Sequence, residues 1–380
     1  MLVFPQDQSN LSLLKISQFS AETPNETLTY YAISAGANLS NLTSSDEDWN
    51  EYVRVTKDDY LITMPVSFTF DNDNAYWIWA EGSELGKLVV HKFGDPSHYK
   101  VLYEAKKAEI DYSTDDFYEN IFIHPIDKTI LAVTETYHKP IYHLLNDTIK
   151  EDMNYLTNFK PNDSLRIVGT SQDFNVWLVT YLTDQNPPEY FIYNRQHKKV
   201  AFLFGTCREL KNAKFGRMIG FDFQTHDNLT IQAYLSLPPD VKMRSVSEIA
   251  NAQERKYAKM GLLPALPQKM VIHVHGGPQY RDRFGFSRDN FWLTNRGYAV
   301  LQVNFRGSVG FGKRVANSGN GEWGRKMHYD LIDAVNFVVR HGIANRSQIA
   351  IMGGSYGGYA TLIALTKSPN VFACGVDSYG

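Results

Sequence analysis

The chain has 380 residues, a formal net charge of -3, and a composition that is 43% hydrophobic and 21% charged. That length exceeds one ordinary domain and predicts two, while acids and bases are mixed along it, leaving no block of like charge to mark a nucleic-acid or membrane partner. Its two cysteines, Cys207 and Cys374, cannot build a disulfide framework and are read as reduced structural thiols; no CxxC or His-rich spacing offers a metal site, and no cofactor is expected. The N-terminal stretch MLVFPQDQSNLSLLK lacks the basic start and apolar run of a signal peptide. No stretch approaches the ~18 apolar residues of a membrane span, so a cytoplasmic location is the expectation. Asn-x-Ser/Thr occurs at Asn10, Asn25, Asn38, Asn41, Asn146, Asn162, Asn228 and Asn345. These would be glycan acceptors in a secreted protein, but an Asn-rich cytosolic chain accumulates such triplets by chance.

Residues 1–215 read as strands separated by turn clusters. Four apolar or aromatic runs, LTYYAISAG from Leu28, AYWIWAEGS from Ala75, TILAVTETY from Thr129 and NVWLVTYLT from Asn175, start 47, 54 and 46 residues apart. The last three are each followed by a second run: KLVVHKF from Lys87, KPIYHLL from Lys139, EYFIYNR from Glu189. Polar turns precede those three, DNDN at Asp71, PIDK at Pro125 and SQDF at Ser171. A period of roughly 40–50 residues with several strands per unit predicts a partial β-propeller of about four to five blades. Regular recurrence of this kind is hard to obtain in a β-sandwich.

From 216 to 380 the period changes. A hairpin-like stretch, FQTHDNLTIQAYLSLPP, and a charged segment, KMRSVSEIANAQERKYAKMG, lie between the halves. Strands then alternate with helices. Lys269–Val274 ends in HGGP, and Tyr298–Val303 ends in NFRGSVGFG. From Met327 to Arg340, residues Met327, Leu331, Ala334, Val335, Val338 and Val339 share one helical face. His341-Gly342 ends that helix. Ile349–Met352 is a third strand and Val371–Val376 a further one. Continuous apolar strands with helical crossovers predict a parallel sheet covered on both faces.

Gly353-Gly354-Ser355-Tyr356-Gly357 satisfies G-x-S-x-G between a strand and a helix. A nucleophilic serine needs a sharp, strained turn so that its oxygen projects above the sheet, and bulk at Gly353 or Gly357 would clash as strand and helix close together. The following helix start offers free N–H groups, and the N–H of Tyr356 is placed to bind a developing oxyanion. His275-Gly276-Gly277-Pro278 follows a strand where α/β-hydrolases carry their other oxyanion donor. Gly277 N–H is the candidate. His273 and His275 precede the serine, whereas the hydrolase order is Ser, then Asp or Glu, then His; His275 is read as orienting the oxyanion loop. Arg306 is read as a structural ion pair or loop anchor, Asp330 and Asp333 as loop braces, and Asp377 as packing or loop chemistry.

GGSYGGYATL, HVHGGP, NFRGSVGFGKR, and EWG followed by Asp330 and Asp333 together resemble the prolyl oligopeptidase family of serine peptidases. The HGGP form is similar to the acylaminoacyl-peptidase-like and dipeptidyl-peptidase branch. The resemblance covers about 220–380, and WLVTYLTDQNPPEYFIYNRQHKKVAFLF also resembles that family's last propeller blades. It implies a β-propeller joined to an α/β-hydrolase fold with a mostly parallel sheet, and hydrolysis of short peptides through an acyl-enzyme on Ser355. It further implies Gly277 and Tyr356 as the oxyanion hole, and it is compatible with a homo-oligomer. The family's catalytic Asp and His follow well after the serine, and this chain reaches Gly380 with neither, so it is expected to be a truncated, inactive copy. A serine hydroxyl is a weak nucleophile without an adjacent base, and an oxyanion hole with binding alone gives only ~10³–10⁴-fold catalysis over water. An esterase on the same core and a non-catalytic propeller-based binding protein are the competing readings.

Overall fold

The computed structural model describes residues 13–16, 27–33, 50–71, 73–112 and 121–380. Asn10, Asn25, Asn38, Asn41 and most of the N-terminal stretch lie outside the described residues. The described chain opens with four antiparallel sheets in succession. The first pairs β1 (Leu13–Ile16), β2 (Thr27–Ile33) and β3 (Asn50–Thr56). The second holds β4 (Met64–Phe68), β5 (Asn74–Trp79), β6 (Lys87–Lys92) and β7 (Tyr99–Glu104). The third holds β8 (Ile121–Ile123), β9 (Ile130–Thr136) and β10 (Pro140–Leu144). After helix α1 (Lys150–Phe159), the fourth holds β11 (Ser164–Thr170), β12 (Val176–Leu182), β13 (Glu189–Asn194) and β14 (Lys199–Gly205).

Period-2 alternation lets the second and third sheets bury residues on both faces. In β5, Ala75, Trp77 and Trp79 join Val53 and Val55 of β3 in one core. Ile78 joins Leu88, Ile121 and Val133 in the next. Leu131 and Ala132 then meet Trp177, Val179 and α1, through Met153 and Leu156, in a third. The aromatic runs of the sequence are therefore the inner strands of these sheets. Each polar turn joins the first two strands of its sheet, so every unit begins one strand earlier than the spacing suggests. Those opening strands, MPVSF and IFI in the second and third sheets, are short and carry no aromatic cluster. One turn chemistry recurs. The hydroxyls of Thr69 and Ser171 donate to Asp71 and Asp173, and accept the N–H of Asn74 (3.1 Å) and Val176 (3.0 Å). Such side-chain bonds to nearby backbone favour turns over continued strand.

The rest of the chain is one six-stranded sheet with helices. Its elements are β15 (Met218–Gln224), β16 (Thr230–Ser236), α2 (Ala252–Met260), β17 (Gln268–Val274), α3 (Arg288–Thr294), β18 (Ala299–Asn304), α4 (Lys313–Asn317), α5 (Lys326–Arg340), β19 (Ala344–Gly354), α6 (Tyr356–Lys367) and β20 (Cys374–Ser378). The strand order is β15-β16-β18-β17-β19-β20. The three pairings from β18 to β20 are parallel, and the two made by β16 are antiparallel. The hairpin read as lying between the halves is thus part of the sheet, and the sheet is mixed. The last strand starts three residues later than expected, because Val371 turns back onto Ser368 and Phe372 is spent in the core. The charged segment forms α2, N-capped by Asn251, whose side chain accepts from the N–H groups of Gln253 and Glu254. Helices α5 and α6 share a core with Ile272 and Ile351, while α3 packs on the other face through Leu293 against Val271 and Val300. Gly342, at φ 63, follows the end of α5 as His341-Gly342 predicts. Among the described residues no helix is long and apolar enough to cross a membrane, and Cys207 and Cys374 are free thiols.

Candidate active site

Strands β17 and β19 are neighbours at the centre of the parallel part, with Val274 opposite Gly353. Both run out at the same edge, so the loops after them, His275–Pro278 and Gly354–Tyr356, are side by side. The crowding there explains the glycines. A Cβ on Gly353 would lie 2.6 Å from the Val274 carbonyl oxygen, and one on Gly357 only 2.1 Å from it. Between them Ser355 has φ 55 and ψ -121, a conformation non-glycine residues rarely adopt. Its N–H donates to the Ser378 carbonyl (2.9 Å), its own carbonyl accepts the Tyr359 N–H (3.0 Å), and the residue is exposed. The hydroxyl is thereby presented at the surface by a rigid, strained turn.

The second loop touches the first. A Cβ on Gly276 would lie 3.5 Å from the Cβ of Ser355 and 3.3 Å from the Gly354 carbonyl oxygen. Gly277, at φ 109, is exposed, and its peptide bond to Pro278 is cis. Tyr356 is the first residue of α6, a position whose N–H has no intrahelical partner. Its ring is buried against Phe305 (5.4 Å between centroids) and Trp323 (4.9 Å), and burial pushes its hydroxyl pKa up.

His275 is buried under this loop. Its Nδ1 lies 2.8 Å from the Gly276 carbonyl oxygen and its Nε2 3.0 Å from Ser308 Oγ. The ring stacks on Phe305 at 4.4 Å and 13°. Burial pushes its pKa down to about 4, so the imidazole is neutral: Nδ1–H donates to the Gly276 carbonyl and Nε2 accepts from the Ser308 hydroxyl. This fits an orienting role. His273, on β17, is also held below its ordinary pKa by burial.

Arg306, just beyond β18, is 2% exposed. Its guanidinium binds Asp330 (2.7 Å) and Asp227 (2.8 Å), and its N–H donates to Asp330 (2.9 Å). Hydrogen bonds from Arg306 hold Asp227 far below the usual carboxylate range. Asp333 accepts the N–H (2.9 Å) and Nδ1–H (2.7 Å) of His226, which raises that imidazole's pKa. These acids are braces, tying the β15–β16 turn to α5 and to the loop after β18. Asp377 accepts the Gly380 N–H (3.0 Å) in a local turn. The last of the eleven histidines is His341, before the serine. Sequence reasoning missed Phe305, Ser308 and Asp227. The first two flank Arg306 within NFRGS, and Asp227 repeats the Ser/Thr-x-Asp turn chemistry through Thr225.

Residues 284–380 match the model of the prolyl oligopeptidase family. Dipeptidyl peptidase family member 6 of Caenorhabditis elegans is 51% identical over 367 residues, which are 97% of this chain and 48% of that protein. Dipeptidyl aminopeptidase BIII of Pseudoxanthomonas mexicana is 36% identical over 332 residues, 87% of this chain and 45% of that protein. Among solved structures, a puromycin-hydrolysing peptidase of Mycobacterium tuberculosis superposes with a TM-score of 0.67 at 17% identity, over 97% of this chain and 50% of that one. Oligopeptidase B of Leishmania major does so with 0.62 at 15% identity, over 99% and 55%. The chain spans about half the length of these relatives. With its GGSYGGY and HGGP loops abutting at one sheet edge, the chain belongs to the prolyl oligopeptidase family.

Proposed function

We propose that this chain carries the nucleophile and oxyanion half of a serine peptidase site, with Ser355 as nucleophile and the N–H groups of Gly277 and Tyr356 as oxyanion donors. The observation that carries this reading is the strained Ser355 turn with the Gly276–Gly277 backbone against it. In the reaction, Ser355 Oγ attacks the scissile carbonyl, its proton passes to a base, and the carbonyl oxygen becomes an anion facing the two N–H groups. The intermediate collapses as the C–N bond breaks and the amine leaves with the proton from the base, and water, activated by the same base, then releases the acyl group from Ser355. Preorganised donors of this kind are worth about 10²–10³ each in rate. No residue after Ser355 in the chain is a histidine, and the chain spans about half the length of the dipeptidyl peptidase relatives. In this reading the base, its Asp and the activity belong to a protein of that greater length.

In this reading residues 1–215 are part of a β-propeller, the four stacked antiparallel sheets being its blades. Residues 216–380 are the first part of an α/β-hydrolase domain. Substrates are short peptides, as the names of the dipeptidyl peptidase relatives support, and a propeller beside the site would screen out folded chains. The test is turnover of dipeptide amides and of matched esters by the longer protein that contains this chain. Amide cleavage that disappears in Ser355→Ala is expected. Ester turnover without amide cleavage would favour an esterase instead.

A further inference from the structure

The oxyanion side of the site is held from the antiparallel-sheet half. The loop after β18 is rich in glycine, and Gly310 and Gly312 have φ 93 and 95. Such a stretch has much backbone freedom, yet it is clamped on two sides. Towards the active site, Val309 N–H donates to the Tyr280 carbonyl (3.2 Å) and the Ser308 hydroxyl to His275 (3.0 Å). His275 in turn donates to the Gly276 carbonyl. Away from the site, Glu109, in the segment after β7, is 9% exposed. Its N–H donates to the Gly310 carbonyl (3.2 Å) and its Oε1 accepts the Gly312 N–H (2.9 Å). One residue thus grips both glycines. Next to it Lys313 Nζ reaches Asp59 (2.7 Å) and the Ala80 carbonyl (3.1 Å).

We propose that Glu109 is a positioning residue for the oxyanion loop: through Gly310–Gly312 it fixes Ser308 and Tyr280, and through them the backbone of Gly276 and Gly277 beside Ser355. The proposal rests on the reading of Ser355 and Gly277 given above. Its physical basis is that misplacing a catalytic group by about 1 Å costs on the order of 10²-fold in rate; Glu84 restrains the far end of the loop, accepting the N–H groups of Lys313 (3.0 Å) and Arg314 (2.6 Å), while the Gly312 N–H is held by the Glu109 carboxyl. An amide oxygen at this position still accepts the Gly312 N–H, whereas alanine does not and aspartate is one methylene too short.

The test uses the longer protein that contains residues 1–380, with two readouts on the same preparation. The first is the rate constant and apparent affinity for phosphonylation of Ser355 by a fluorophosphonate. The second is hydrogen–deuterium exchange of peptides spanning 274–282 and 306–314. Glu109→Ala and Glu109→Asp are expected to slow phosphonylation roughly 10- to 100-fold, with the inhibitor's apparent affinity kept. Exchange should rise in both peptides, and Glu109→Gln should stay within about threefold of wild type. If Glu109→Ala fails to fold, Glu109→Asp, which keeps the carboxyl and most of the volume, decides. Unchanged exchange at 274–282 overturns the proposal, as does a rate that falls only with the folded fraction. Failure of the wild type to label would count against the Ser355 reading, while the exchange result would still decide whether Glu109 orders the loop.

Discussion

Gly357 passes so close beneath Val274 that a methyl group on it would sit 2.1 Å from the Val274 carbonyl oxygen. The G-x-S-x-G spacing is therefore dictated by contact between the first turn of α6 and the end of β17, before any catalytic requirement enters. Gly357→Ala is expected to cost at least about 1–3 kcal/mol, because the obstacle is backbone and cannot swing away. Gly354→Ala is the control: its nearest contact is an ordinary 3.6 Å to the Ser378 carbonyl oxygen, and a change within about 0.5–1 kcal/mol is expected for the backbone-entropy effect. Urea midpoints of the two variants make the comparison.

Arg306 and Asp330 form a second check. Asp330 is fully buried, so Arg306→Met strands a carboxylate away from water. Breaking a buried pair by removing one partner costs about 3–5 kcal/mol. Asp227→Asn, at the more exposed end of the same guanidinium, is expected to cost about 1 kcal/mol. Adding Asp330→Asn to Arg306→Met should recover part of the loss, since the amide oxygen still accepts the N–H of residue 306 without a buried charge. Equal losses for Arg306→Met and Asp227→Asn would contradict the assignment.

Asp282 predicts a pH dependence. It lies in the loop after HGGP, half-buried, with Oδ1 accepting from Gln302 Nε2 (2.7 Å) and Oδ2 buried without a partner. Burial pushes its pKa up to about 7, above its value in the unfolded chain. The folded state therefore holds a proton that the unfolded state releases. Its contribution is fully present below about pH 4 and is lost as pH rises through about 7. Asp282→Asn cannot ionise, so its denaturation midpoint should gain on wild type between pH 4 and pH 8. A constant difference across that window would show that Asp282 is not the group responsible.

The site was legible in the sequence wherever local backbone geometry dictates residue type. Gly353, Ser355 and Gly357 are spaced by the strand-to-helix closure, Gly276 by the approach of one loop to the other, and Gly277 by its own positive-φ turn onto Gln279 and Tyr280. His275 was legible as an orienting group because it precedes the serine on the wrong side for a base. The stacked sheets could be read from aromatic inner strands recurring at near-constant spacing. Their short outer strands could not, since MPVSF and IFI have no pattern of their own. Pairings set by tertiary docking were hidden: Asp227 reaches Arg306 across 79 positions, and Glu109 reaches Gly312 across 203. The hairpin β15–β16 has the same alternation whether it bridges two halves or edges a sheet, so only the pairing of β16 with β18 assigns it.

The central claim is that Ser355 is the nucleophile. The most direct measurement is fluorophosphonate labelling of the longer protein that contains this chain, with the adduct mapped by mass spectrometry. The predicted result is a single adduct on Ser355 that is lost in Ser355→Ala together with amide hydrolysis. No adduct at Ser355 in a hydrolytically active preparation, or peptide cleavage retained by Ser355→Ala, would contradict it.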